Sequence, residues 1–311
     1  MTAPEAAVMV TGACGRLGKR LVRALHRVSP VISIDRRPFP DRPKDVEHHQ
    51  VDLMRSALQD VFKGRPIRAL LHLGVAHNPR GSPHHTRNVA GFQKLLECAE
   101  RYAVPKLVLL SSANVYGPRA DNAQFLNEEA PLLGSAAFSD IRDLVEVDIM
   151  AQSFFWKHPQ IETVVLRPSH ILGTVRNAPS NYLRLKVAPT LLGFDPMMQI
   201  VHQDDVVAAL VLALRPGIRG VFNVSGPPPI RLSKALSLLG RARLPIPYSA
   251  ARLAMDGFWR MRMASFPAPE LDYIRFVCMV DDSKARDSLG YFPSRDTLTT
   301  LRAVDDERWD A

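Results

Sequence analysis

Three glycines, Gly12, Gly15 and Gly18 in "VTGACGRLG", follow an apolar run and open an amphipathic stretch. Backbone that turns from a strand into a helix presents unpaired N–H groups and a positive dipole, which together attract phosphate. Gly12 suits the tight turn, Gly15 lets the backbone approach a pyrophosphate, and Gly18 permits close packing of helix on strand. Arg16 and Leu17 lie in the same turn. The next apolar run, "VISID", ends in Asp35, at about the 20-residue distance where a carboxylate reads the ribose of a dinucleotide. Such a carboxylate accepts from both ribose hydroxyls and repels a 2′-phosphate, so NAD is expected over NADP. Arg36 and Arg37 are the groups that could hold that phosphate instead.

Positioning such a loop takes a strand before it and a sheet behind it. "AVMVTG" (7–12), "VISID" (31–35), "ALLHLG" (69–74), "KLVLLSS" (106–112) and "TVVLRPS" (163–169) read as buried parallel strands. Helical patterns lie between them near 16–28, 87–103 and 140–157. That alternation predicts an α/β fold, a Rossmann-type doubly wound parallel sheet. Residues 1–173 form the dinucleotide-binding domain in this reading, with "GVFNVSG" (220–226) returning to the sheet from about 200–226. Residues 174–200 and 227–311, richer in proline, arginine and bulky apolar side chains, form a smaller, discontinuous C-terminal lobe for substrate or partner.

Composition narrows the setting. A chain of 311 residues with 46% hydrophobic and 23% charged residues is long enough for a large core. Its three cysteines, Cys14, Cys98 and Cys278, have no metal-ligand spacing, so no metal is expected and a reduced, cytoplasmic setting fits. The first residues lack the pattern of a signal peptide, and no apolar run is long enough to span a membrane. The net charge of +9 includes a basic face on the first helix, Arg16, Lys19, Arg20, Arg23 and Arg27, opposite Leu17, Leu21, Leu25 and Val28. No aromatic platform accompanies it, so nucleic acid is not expected as a partner. A protein partner, a homodimer or peripheral attachment to an anionic membrane surface stays open, the last from "ARLAMDGFWRMRM" (251–263).

The glycine spacing, preceded by Thr11, resembles the short-chain dehydrogenase/reductase superfamily. Further motifs resemble its extended branch, the NAD-dependent epimerase/dehydratase family: "VDL" (51–53), "LHLGVAH" (71–77), "NVAG" (88–91), "LLSSANVYG" (109–117), "VVLRPSHILG" (164–173) and "IVHQDDVVAAL" (200–210). The resemblance implies that Asp52 and Leu53 contact adenine. It also implies that Leu73, Gly74, Val75, Asn88, Ser111 and Pro168 line the cofactor crevice, with His72 and His77 beside it.

In that family a strand-end Ser, a Tyr and a Lys act together. The Tyr exchanges a proton with a substrate hydroxyl while hydride moves, the Lys lowers the Tyr pKa, and the Ser positions the substrate oxygen. Ser112 matches the serine position. The other two belong in "GSAAFSDIRDLVEVD" (134–148), which contains neither Tyr nor Lys. Anchoring on Glu146–Val147 puts Asp140 at the Tyr position and Leu144 at the Lys position; a shift by two gives Phe138 and Arg142. No register restores the pair, because no Tyr occurs between Tyr116 and Tyr182 and no Lys between Lys106 and Lys157. Helical spacing instead makes Ile141, Leu144, Val145, Ile149, Phe155 and Trp156 one largely apolar stripe. Asp140 and His170 are the candidates for a displaced acid/base, and His170 matches a family position facing substrate. Two readings remain: an atypical NAD-binding protein without the usual redox step, or an active oxidoreductase or sugar-nucleotide epimerase/dehydratase that uses such a displaced group.

Overall fold

The computed structural model describes residues 5–73, 86–136, 139–253, 272 and 274–309. Apolar runs whose side chains must all be buried need a sheet covered on both faces. Strand β1 (Ala7–Thr11) meets that demand: Val8 and Val10 pack into one core layer, Ala7 and Met9 into the other. It lies in a seven-stranded, wholly parallel sheet with β2 (Val31–Asp35), β3 (Glu47–Gln50), β4 (Ile67–His72), β5 (Lys106–Leu110), β6 (Glu162–Pro168) and a late strand, Gly220–Val224. The order across the sheet is that late strand, then β6, β5, β4, β1, β2 and β3. The chain therefore reverses direction beside β1, where a doubly wound sheet opens its ligand crevice.

Helix α1 (Arg16–Leu25) covers one face through Leu17, Leu21, Val22 and Leu25. On the opposite face lie α2 (Ala57–Phe62), α3 (Gly91–Arg101) and α4 (Ser139–Lys157). The expected strands and helices are present, with informative differences. β3, "EHHQ", has no apolar pattern because it is the sheet's edge. α1 ends at Leu25, which leaves Val28 exposed rather than on the buried face.

The apolar stripe expected on α4 is also corrected. Ile141, Leu144 and Val145 are buried, but Ile149 is exposed and Trp156 is 78% exposed. The inward face continues instead through Val147, Asp148, Ala151 and Phe154. Asp148 sits where helical periodicity demands a buried residue, and a carboxylate there needs a partner.

That partner is Arg167 on β6. Both side chains are 0% exposed, and Arg167 Nη2 and Nε donate to Asp148 Oδ1 and Oδ2 at 2.7 and 3.0 Å. Gln152 Nε2 and Ser111 Oγ donate to the same two oxygens at 2.8 and 2.6 Å. The remaining guanidinium nitrogen donates to Tyr116 Oη at 2.8 Å and to the Glu128 carbonyl at 3.1 Å. Tyr116 in turn donates to Asn223 Oδ1 at 2.8 Å. Charges this deeply buried hold together only when every lone pair and proton is matched.

Beyond β6 the chain forms β7 (His170–Leu172), α5 (Ala178–Leu183), β8 (Val187–Leu191), β9 (Met197–Met198), β10 (Ile200–His202) and α6 (Gln203–Leu212). α6 joins α1 on its face of the sheet. The late sheet strand is β11, followed by β12 (Ile230–Arg231), α7 (Leu232–Leu238) and β13 (Ala242–Ile246). A separate apolar core unites Leu172, Tyr182, Leu183 and Ile200 with Leu232 and Leu236 and with Leu301 and Val304.

Removing one member of the buried pair should be far more damaging than replacing both. Asp148→Ala is expected to cost about 3–5 kcal/mol, since it strands a buried guanidinium. Urea unfolding checks this, and Asp148→Leu combined with Arg167→Met should be less destabilised than Asp148→Ala.

Candidate functional site

At the carboxyl end of β1 the chain makes its glycine turn. Gly12 has φ +76°, a conformation that L side chains rarely adopt. Gly15 is the residue before α1, and no side chain caps the helix or places an acid in its first turn. Among the described residues its first N–H groups therefore have no side-chain cap, the arrangement that anion binding uses. A Cβ on Gly15 would lie 3.2 Å from the Gly12 carbonyl, whereas one on Gly18 would lie 2.3 Å from that atom. Gly18 is thus set by the close approach of the helix to the backbone of Gly12 and Ala13, while Gly15 is only moderately crowded by the same carbonyl. Arg16 reaches away from the loop, where Nη1 donates to the Thr174 carbonyl at 2.6 Å. Leu17 is packed in the core.

Asp35 closes the turn from β2. Its Oδ2 accepts from Cys14 N at 2.9 Å, and Oδ1 accepts from Arg37 N and Nε, both at 3.0 Å. Burial opposes ionisation of this carboxyl, but hydrogen bonds from Arg37 and Cys14 outweigh it and hold the pKa below the ordinary value. Arg37, not Arg36, makes the ion pair; Arg36 is exposed, and its carbonyl accepts from Gln50. Burial and the neighbouring Asp35 push the Cys14 thiol up to about 11, so it stays protonated.

Asp52 Oδ1 accepts from Met54 N at 2.9 Å, which forms a local turn, and Leu53 packs beside Gly91. Leu73 N donates to the Thr11 carbonyl at 3.1 Å. Gly74, Val75 and His77 lie outside the described residues, as do Phe138, the side chain of Asp140 and most of 251–263. Asn88 is buried and donates to Asp143 Oδ2 at 3.0 Å. Ser111 is absorbed into the Asp148 pair, while Ser112 Oγ accepts from Asn114 N at 3.1 Å and caps a short 3-10 turn. Pro168 ends β6. Leu144 is buried with Ala113, Val115, Ile141 and Val145.

His72 and His170 differ from a titrating acid/base. His72 ends β4, stacks on Phe92 with ring centroids 5.1 Å apart, and places Nδ1 2.7 Å from Thr11 Oγ1. Its Nε2 is buried without a hydrogen-bond partner among the described residues. His170, on β7, keeps some exposed surface. Burial lowers the pKa of both rings to about 4, so each is neutral at pH 7.

A cleft of about 710 Å³ opens elsewhere, past the end of β11, among Gln199, Ser225, Asp282, Arg286 and Arg295. None of the glycine-turn residues, Asp35 or Ser112 lines it. Sequence patterning missed Asp148, Arg167 and the pairing of Arg37 with Asp35. The signal for the first two was present: one charge on the inward stripe of a helix and one within the buried run "VVLRPSH".

The sequence profile of the NAD dependent epimerase/dehydratase family matches residues 8–225. An uncharacterized protein of Mycobacterium tuberculosis is 26% identical over 313 residues, covering 96% of this chain and 82% of that protein. The UDP-glucose 4-epimerase of Dictyostelium discoideum is 28% identical over 222 residues, which span 63% of either chain. Among solved structures, Thermotoga maritima UDP-glucose 4-epimerase with UDP-glucose superposes with a TM-score of 0.76 at 17% identity, covering 98% of this chain and 99% of that one. Thermus thermophilus UDP-glucose 4-epimerase in complex with NAD gives a TM-score of 0.76 at 20% identity, covering 98% and 100%. At such identities the structural matches establish the shared fold.

The buried His72 makes stability depend on pH. Its pKa falls from the ordinary 6.5 to about 4 on folding, so between those values the unfolded chain binds the proton and the folded chain does not. The penalty is absent above pH 6.5 and grows as pH falls towards 4, reaching about 2 kcal/mol at pH 5. Denaturant unfolding at pH 7 and pH 5 should therefore differ less in His72→Asn than in the parent chain.

Proposed function

The chain belongs to the NAD dependent epimerase/dehydratase family, and from that premise we propose that it binds NAD but does not perform the hydroxyl–carbonyl redox step through a Tyr–Lys pair. The dinucleotide-binding unit in this proposal is residues 1–173, completed by about 200–226, with 174–200 and 227–311 as the smaller lobe. The turn from Gly12 to Gly18, including Arg16 and Leu17, would hold the pyrophosphate, and Asp35 the ribose. Asp52 and Leu53 would flank adenine; Leu73, Gly74, Val75, Asn88, Ser111 and Pro168 would line the rest. The glycine turn fits such a ligand, because the first N–H groups of α1 carry no side-chain cap and no acid stands in its first turn. When bound, NAD supplies a hydride acceptor.

One observation carries the redox-silent reading. At the position expected for the lysine, α4 presents Leu144, buried among apolar neighbours, and the interval from Tyr116 to Tyr182 contains no other tyrosine. Tyr116 does not substitute: its hydroxyl is held between Arg167 and Asn223, and burial pushes its pKa up to about 12. Loss of a general acid/base costs roughly 10²–10⁴ in rate, against total accelerations of about 10⁶ or more. A displaced group could therefore sustain residual turnover. His170, with Ser112 orienting the substrate oxygen, is the rival site for such chemistry on a sugar nucleotide or another small carbonyl substrate. Its low pKa speaks against it: at pH 7 the ring is neutral, so it is a weak base towards a hydroxyl and carries no imidazolium proton for a carbonyl. Asp140 is a second rival on sequence position alone.

Calorimetry should give tighter binding of NAD than of NADP, and Asp35→Ala should weaken NAD by roughly 1–3 kcal/mol. Gly15→Val should remain folded but lose NAD binding; wild-type affinity in that variant would remove the assignment of the phosphate loop. Assays of the unmodified chain with sugar nucleotides, alcohols and ketones should show no appreciable NAD(H) turnover. Robust turnover that disappears in His170→Ala would overturn the redox-silent reading and establish the rival.

A further inference from the structure

The small lobe carries a charge and surface pattern that neither cofactor binding nor core packing uses. Residues 174–200 and 227–253 contain eight Lys or Arg and a single acid, Asp195. The same 54 residues hold seven of the thirteen exposed large apolar side chains among the described residues. Basic and apolar surface therefore coincide within these two stretches of the lobe, outside the seven-stranded sheet.

Geometry concentrates the two around the β8–β13 ribbon. These strands pair in parallel, with Ala242 opposite Val187 and Leu244 opposite Pro189. Val187 and Leu244 consequently share one face, and they are 54% and 52% exposed. Arg243 belongs to the other face, where it lines a cleft of about 570 Å³ with Arg231, Lys234, Ser233 and Ser237. No carboxylate lines that cleft, and among the described residues Arg231, Lys234 and Arg243 have neither an ion pair nor a side-chain hydrogen bond. Three cations left unpaired around one cleft form an anion receptor rather than part of an internal network. At the ribbon's end, Ala251 is buried against Leu191, which sets the exposed Arg252 and Leu253 beside it. Leu253 is 76% exposed.

Lys186–Val187, Arg243–Leu244 and Arg252–Leu253 each join an exposed cation to an exposed aliphatic residue. A planar interface that is anionic at its surface and apolar just beneath accommodates such pairs: the aliphatic group enters and the cation stays at the phosphates. The outer edge of β13 carries no partner strand among the described residues, but Pro245 removes a donor from it. That proline and the flanking Arg243 disfavour addition of another strand, so a protein docking by sheet extension fits less well than a bilayer.

We propose that the β8–β13 ribbon and its adjoining Arg231/Lys234/Arg243 cleft form a docking surface for a membrane rich in anionic phospholipid. With the outer edge of β13 on the bilayer, the cleft's cations on one side of the ribbon meet lipid phosphates, while Leu244 on its other side and Leu253 enter the interface. Each cation near an anionic bilayer contributes about a fivefold gain in partitioning, so three together give roughly a hundredfold.

Cosedimentation of the full chain tests this with vesicles of phosphatidylcholine alone and vesicles that also contain phosphatidylglycerol. The expected result is binding to the anionic vesicles only, weakened by salt. The combined variant Arg231→Ser, Lys234→Ser and Arg243→Ser should lower that binding by about a hundredfold, with an unchanged melting temperature as the control for folding. The pair Leu244→Ser and Leu253→Ser should also lose vesicle binding. Equal binding to both vesicle types, no binding to either, or full binding by the triple variant would overturn the proposal. So would release from vesicles by soluble pyrophosphate that binds the cleft one to one, since that identifies a site for a free phosphorylated ligand instead.

Discussion

The Asp148–Arg167 pair is the constraint around which the rest of the chain is arranged. A carboxylate and a guanidinium withdrawn from water each lose several kcal/mol of hydration, which only a complete set of partners offsets. Asp148 obtains its set from β6, α4 and the end of β5, and Arg167 adds Tyr116 and the Glu128 carbonyl. Asn223 extends the network to β11: it accepts from Tyr116, and its amide nitrogen donates to the Leu126 and Asp281 carbonyls. Segments far apart in sequence are thereby held in one relative position. Apolar packing alone, being non-directional, would fix that position less sharply.

This arrangement also explains why the region around Ser112 has little chemical freedom. Ser111 donates into the ion pair, Ser112 caps the next turn, and Tyr116 is locked between a guanidinium and an amide. Leu144 then closes the space between α4 and that turn with hydrocarbon. Polar groups remain, but they are committed to structure. At the glycine turn the balance is reversed: among the described residues the first N–H groups of α1 have no side-chain cap.

How much of this could be read from the chain depended on whether a residue's burial agreed with its chemistry. β1, β2, β4, β5 and β6 were legible because apolar runs flanked by helical periods have few other uses. The glycine turn was legible because three positions needed the same residue for three different physical reasons. β3 was not, since an edge strand such as "EHHQ" buries too little to leave a pattern. Asp148 was not either: a rule that assigns charged residues to the outside moved the inward stripe of α4 towards Ile149 and Trp156. Arg37 escaped because its pairing with Asp35 depends on the local turn rather than on any period.

The small lobe's core has a consequence for synthesis. Its buried surface joins Leu172, Tyr182, Leu183 and Ile200 to Leu232 and Leu236, and both groups to Leu301 and Val304. A ribosome delivers those groups well apart in time, so the earliest must wait, partly uncovered, for the last. In sequence β11, a strand of the large sheet, lies within that interval, between two visits of the chain to the lobe. The nascent lobe thus shares the slow assembly of folds dominated by distant contacts, and a chaperone that shields its apolar faces would act mainly during this window. Loss of the final helical turns would then be felt in the middle of the lobe rather than at its tip.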